Sequence, residues 1–89
     1  MMKKELLIEN KLGLHARAAA QIVKSASAYS SKITFIKEGL EVDGKSIMGI
    51  MMLAAAKGST VILHTNGEDE DRAMEGMEKL FKDKFGEKD

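Results

Sequence analysis

The sequence predicts an α+β fold, an open-faced β-sandwich in which a four-stranded antiparallel sheet is covered on one face by three helices. Three observations carry this. Apolar residues switch between strand-like and helical spacing along the chain, in the order strand, helix, strand, strand, helix, strand, helix. Glu38 and Gly39 stand between two strand-like runs as a two-residue hairpin signal. At 89 residues the chain is read as one domain over 1–89, able to bury only roughly 60 to 65% of its unfolded surface. Elements in this order can share one core as two layers. The competing arrangement is a ferredoxin-like domain with an added helix.

The first strand is read over Glu5 to Glu9, centred on Leu6, Leu7 and Ile8, and it ends in a loop from Asn10 to Leu14. A first helix follows from about Ala16 to Ala28. Its Ala19, Ile22, Val23 and Ala26 share one face, while Arg17, Gln21 and Lys24 fall on the other. Ile33 to Lys37 and Leu40 to Val42 are the hairpin strands, closed by Gly44. A shorter helix spans about Ile47 to Ala55 and stops near Lys57 and Gly58. Thr60 to Thr65, rich in β-branched residues, is the fourth strand, and Asn66 and Gly67 close it.

The last helix opens at the acidic cluster Glu68, Asp69, Glu70 and Asp71, and runs through Ala73, Met74, Met77, Leu80 and Phe81 to about Phe85. Carboxylates at a helix start are stabilised by its dipole, and the ligand spacing of a calcium loop is missing, so the cluster reads as a solvated cap. Gly86 ends the helix, and the tail Glu87 to Asp89 is expected to fray.

Composition excludes several function classes. Fourteen basic residues balance fourteen acidic ones and aromatics make up only 4%, which leaves neither a phosphate-neutralising patch nor a stacking platform for nucleic acid. With no cysteine there is no disulfide, thiolate metal site or thiol redox chemistry, in keeping with a reducing cytoplasm. The apolar stretch near the start is too short for a signal peptide. The longest apolar segment, Ile47 to Ala56, falls far below the roughly 20 residues that span a bilayer. A cytoplasmic chain without membrane insertion is expected.

His15 is the residue best placed for chemistry. It lies in Gly13, Leu14, His15, Ala16, Arg17, where a turn opens directly into an alanine-rich helix. First-turn N–H groups lack intrahelical partners, and the helix dipole favours an anion there by roughly 0.3 to 1 kcal/mol, so a phosphoryl group would find donors in place. The same field disfavours imidazolium and is expected to keep the ring neutral and nucleophilic. Arg17 offers a planar fork that could clamp a phosphate on the histidine. The competing reading is a solvent-facing histidine that only starts a helix.

A second helix start carries the other informative stretch, Lys45, Ser46, Ile47, Met48, Gly49. Ser46 occupies the N-cap, where its hydroxyl can accept a bond from a first-turn N–H. A phosphoryl group on that hydroxyl would meet the same helix end and place roughly two negative charges beside an apolar patch. Ile50 and Leu53 can face the core. Ile47, Met48 and Met51 are hard to bury together in so small a domain, so part of them is expected at the surface, where methionine suits docking to varied partners. His64, within the fourth strand and without further ligands at metal spacing, is expected at a surface or edge position, and no metal site is assigned. Tyr29 is expected to pack at the end of the first helix.

These two motifs resemble those of HPr, the histidine-containing phosphocarrier family of the bacterial phosphoenolpyruvate-dependent phosphotransferase system, and the resemblance covers nearly the whole chain. Residues 13–17 look like its active-site motif and residues 45–49 like its regulatory-serine segment; the order of elements is similar to its open-faced sandwich. The resemblance implies that His15 takes a phosphoryl group on Nδ1 from Enzyme I and passes it to a histidine of an Enzyme IIA protein or domain. It also implies that Arg17 assists the phosphohistidine, that Ser46 is a target of an HPr kinase/phosphorylase using ATP, and that Ile47, Met48 and Met51 form the partner-binding patch. A monomeric carrier without cofactor, and not a stand-alone enzyme, is the expectation. The chain departs from the family in having Ala18 where proline is usual, which leaves the helix start less rigid. The alternative is an HPr-like regulatory module acting through Ser46 and docking alone.

Overall fold

Side-chain alternation along four strands decides which face of the sheet is buried. The computed structural model describes residues 1–87. Its strands β1 (Met2–Leu7), β2 (Lys32–Lys37), β3 (Leu40–Asp43) and β4 (Thr60–Asn66) form one sheet in the order β1-β4-β2-β3, and every pair is antiparallel. In register, Leu6 faces Val61, and Phe35 faces both Leu63 and Val42, so these side chains line one face. Helices α1 (Ala16–Ala26), α2 (Ile47–Met52) and α3 (Glu70–Lys82) contribute Ile22, Ile50, Met77 and Phe81 to the same core. The order and the four-stranded antiparallel sheet with three helices agree with the expected fold class.

Several element limits differ from the sequence reading: β1 stops at Leu7 and not Glu9, β2 starts one residue earlier at Lys32, and β3 and β4 each run one residue further, to Asp43 and Asn66. β1 starts at Met2, not Glu5, because Met2 and Lys4 alternate with Leu6 and the Lys4 ammonium is carried out to Glu78 of α3 at 2.6 Å. A lysine at that inward register hid the strand. α1 ends at Ala26, short of Ala28. α2 ends at Met52, not Ala55: the N–H groups of Leu53 and Ala54 bond back to Ile50 and Met51, and Ala54 takes φ +49°, which turns the chain out of the helix. α3 stops at Lys82, and the chain tightens into a 3₁₀ turn over Lys84–Gly86.

That turn matters for the site. Lys84 and Phe85 sit at φ +54° and +56°, a region non-glycine residues occupy at roughly 1 to 3 kcal/mol each. Burying Phe85, whose ring meets Phe81 edge-on at 5.1 Å between centroids, offsets this by roughly 1.5 to 3 kcal/mol. Gln21 of α1 also donates to the Phe85 carbonyl at 3.0 Å. The chain after α3 is thereby folded back toward the start of α1. Fraying is therefore wrong for Glu87, which is held; Lys88 and Asp89 lie outside the described residues.

Two side chains add to the sequence reading. Of the surface or edge position expected for His64, the edge is excluded: β4 is an inner strand, and the ring lies half-buried between Lys3 and Thr34 on the sheet face away from the helices, with Nε2 covered and without a partner among the described residues. Asp69 is the N-cap residue of α3, yet its side chain makes no cap bond. Its carboxylate instead accepts the N–H groups of Ser30 and Ser31, each at 2.9 Å, and the Ser31 hydroxyl, tying the start of β2 to α3. Tyr29 does pack at the end of α1, partly buried against the core.

Candidate functional site

The loop from residue 10 to 14 is built to deliver one side chain to the start of α1. Gly13 adopts φ +66°, and a Cβ added there would lie 2.5 Å from the Ala55 carbonyl oxygen, so both its conformation and its surroundings require glycine. Buried Asn10 closes the turn, accepting the Gly13 N–H at its carbonyl at 3.2 Å and donating Nδ2 to the Gly13 carbonyl at 2.8 Å. The Leu14 N–H then bonds the Ala55 carbonyl at 2.9 Å while the Leu14 side chain is buried. These bonds fix the backbone from which the next residue departs.

His15 is that residue and is the N-cap of α1, with extended backbone angles (φ −76°, ψ 177°) and its carbonyl accepting the Ala19 N–H at 2.9 Å. Its side chain does not cap the helix. The N–H groups of Ala16, Arg17 and Ala18 therefore have no acceptor among the described residues, which leaves the donors an anion would use. The ring is 28% exposed, and its Nδ1 makes no hydrogen bond among the described residues. Arg17 is exposed and engages no ion pair among the described residues, so its guanidinium is available on the same turn. Ala18 is fully buried, and its unbonded N–H means that a proline there would delete no hydrogen bond.

The other ring nitrogen is engaged by a residue the sequence reading did not single out. Glu87 Oε2 lies 2.9 Å from His15 Nε2 and also accepts Asn10 Nδ2 at 2.8 Å, while Oε1 receives the Leu12 N–H at 3.4 Å. These bonds hold the Glu87 carboxyl below the usual carboxylate range, the bond from His15 contributing most and partial burial opposing it. A separation of 72 residues between Glu87 and His15 leaves no local pattern to find. Asn10 carried a weak signal, as the residue opening the loop before a glycine.

At the start of α2, Ser46 is the N-cap with φ −123°, and its hydroxyl accepts the Gly49 N–H at 3.1 Å. Gly49 is close-packed, since a Cβ would lie 3.2 Å from Val42 and 3.3 Å from the Ser46 hydroxyl. Ile50 and Leu53 are buried, as read from the sequence. Ile47, Met48 and Met51 are exposed at 42%, 73% and 41%, and Met52, at 63%, adds to them. Leu12, 64% exposed in the loop before His15, is a further large apolar side chain at the surface. α1 and α2 pack against each other, so both helix starts belong to one layer. The spacing of Met52 was readable as part of an apolar helix, whereas Leu12 lies in a loop where no periodicity marks it.

Residues 2–83 match the family model described as PTS HPr component phosphorylation site. The chain is 46% identical over 87 residues to the phosphocarrier protein HPr of Xylella fastidiosa, covering 98% of both. Among solved structures it is similar to HPr-C-His from Thermoanaerobacter tengcongensis, with a TM-score of 0.95, 44% identity and 99% of each chain covered. It is also similar to the HPr dimer from the same organism, with a TM-score of 0.79, 45% identity, and coverage of 98% of this chain and 100% of that one.

Proposed function

The chain belongs to the HPr family of phosphocarrier proteins of the phosphotransferase system, and from that membership we propose that His15 accepts a phosphoryl group from phospho-Enzyme I and passes it to a histidine of an Enzyme IIA component. The observation that carries this reading is a partly exposed imidazole at the N-cap of α1, where three first-turn N–H groups have no acceptor and Nδ1 makes no hydrogen bond among the described residues. A phosphoryl group there is held by donors yet stays accessible, so it can be handed on. Arg17, exposed and without an ion pair among the described residues, binds its oxygens. On this reading residues 1–89 act as a single domain and a relay, recycled between donor and acceptor without converting a small molecule itself. Ile47, Met48 and Met51 form the apolar surface that partners grip.

Ser46 is the regulatory position in this proposal. A kinase using ATP, of the HPr kinase/phosphorylase kind, would place a phosphoryl group at the α2 N-terminus beside that apolar surface, adding charge where partners dock. The proposed carrier is a cytoplasmic monomer; among the described residues no helix is long and apolar enough to cross a membrane. Replacing His15 by alanine tests the relay against a purely regulatory module acting through Ser46. The relay requires that His15→Ala abolish phosphate uptake from Enzyme I and phosphoenolpyruvate, and a variant still carrying the biological role would refute it.

A further inference from the structure

Resting on the phosphocarrier reading, we propose that Glu87 is a positioning residue for phosphoryl transfer, fixing the His15 tautomer in which Nδ1 carries the lone pair and balancing the charge the ring gains when phosphorylated. Glu87 Oε2 and His15 Nε2 lie 2.9 Å apart. An ionised carboxylate has acceptors only, so the nitrogen facing it must be the donor. With a proton held on Nε2, the neutral ring has its lone pair on Nδ1, the nitrogen with no hydrogen bond among the described residues.

Glu87 is aimed by its surroundings. Asn10 Nδ2 and the Leu12 N–H donate to the same carboxylate, at 2.8 and 3.4 Å, so the loop that positions His15 also positions its partner. The turn before it keeps Lys84 and Phe85 at positive φ and is tied to α1 through Gln21 and the Phe85 carbonyl. The bonds from His15, Asn10 and Leu12 hold the Glu87 carboxyl below its ordinary value and so favour its charged form beside a ring whose charge changes during the reaction.

The step balances without proton transfer. The Nδ1 lone pair forms the bond to phosphorus as the donor's bond to phosphorus breaks, that electron pair staying with the donor. The His15 ring then bears a positive charge, shared with Nε2–H and faced by the Glu87 carboxylate. When the next acceptor takes the phosphoryl group, the Nδ1–phosphorus electron pair returns to His15 and the ring is neutral again.

The test combines ¹⁵N NMR of the imidazole with single-turnover phosphorylation by Enzyme I and phosphoenolpyruvate, on the full chain, on Glu87→Ala and on the isosteric Glu87→Gln. Amide spectra show whether each variant is folded, and Glu87→Gln serves should Glu87→Ala not be. The full chain should show the shifts of a protonated Nε2 and an unprotonated Nδ1 in its neutral ring. In Glu87→Ala the two shifts should converge and phosphorylation should slow roughly 3- to 10-fold, with Glu87→Gln also slowed. Unchanged shifts with rates within about twofold of the parent in folded variants would overturn the role of Glu87 while leaving the carrier reading intact. Failure of the parent chain itself to take phosphate from an active Enzyme I would overturn both.

Discussion

Gly13 and Ala55 meet backbone to backbone: the Ala55 carbonyl accepts the Leu14 N–H at 2.9 Å and leaves no room for a side chain at Gly13. The segment after α2 thus props the loop that holds the histidine. Gly13→Ala adds a β-carbon both at positive φ and against a carbonyl oxygen. The two effects should lower stability by about 2 to 4 kcal/mol in urea unfolding, with a slower phosphate uptake at His15 because the loop must shift.

Ser46 serves the fold before any modification. Ser46→Ala should lose about 0.5 to 2 kcal/mol by removing the bond from Gly49 N–H. Ser46→Asp keeps a good N-cap and should match the parent to within about 0.5 kcal/mol, yet slow phosphorylation of His15 by Enzyme I because a charge stands beside the docking surface. Denaturation curves and phosphorylation rates on the three proteins separate capping from regulation.

Exposed methionine is cheap to replace unless a partner uses it. Met48→Lys, at a side chain 73% exposed, should change stability by no more than about 0.5 kcal/mol. Binding to Enzyme I, measured by calorimetry, should weaken at least fivefold on the proposed role of the α2 surface. Unaltered binding would remove Met48 from that surface.

Acid should unfasten β2 from α3. Asp69 titrates at about 2 against an ordinary 3.8, held down mainly by the Ser31 hydroxyl and next by the Ser30 N–H, with burial opposing. A carboxyl with a depressed folded value stabilises the fold fully above its unfolded value and loses that contribution as pH falls through the folded one. The loss should therefore develop between about pH 4 and pH 2. Asp69→Asn should be less stable at pH 7 and show a shallower fall in stability across that window in pH-resolved urea titrations.

How far the sequence was legible follows the range of the interactions. The α1 start at Ala16 and the turn at Glu38 and Gly39, both at positive φ, are local, and each stands where the chain was read to place it. His15 and Ser46 were readable for the same reason, since a glycine or a hydroxyl beside a helix start is a short-range pattern. β1 was read three residues late because Lys4 occupies an inward register and finds Glu78 on a distant helix. Whether His64 stood at an edge or on the open face was not legible, because strand order depends on pairings that no single segment encodes. Asp69 stands at the N-cap of α3 within the acidic start the sequence shows, but its serine partners lie across the fold and leave no local pattern. Glu87 depends on a turn at Lys84 and Phe85 with no glycine until Gly86, and the burial of Phe85 against Phe81 stabilises that turn only after α1, α3 and the sheet are assembled.

The proposed relay requires that the imidazole of His15, at the start of α1, be the phosphoryl acceptor. The most direct measurement of this is site-mapping mass spectrometry at alkaline pH after incubation with Enzyme I and phosphoenolpyruvate. The predicted result is a single acid-labile phosphate on His15, absent from His15→Ala. Phosphate on another residue that persists in His15→Ala, or none at all with an active Enzyme I, would contradict it.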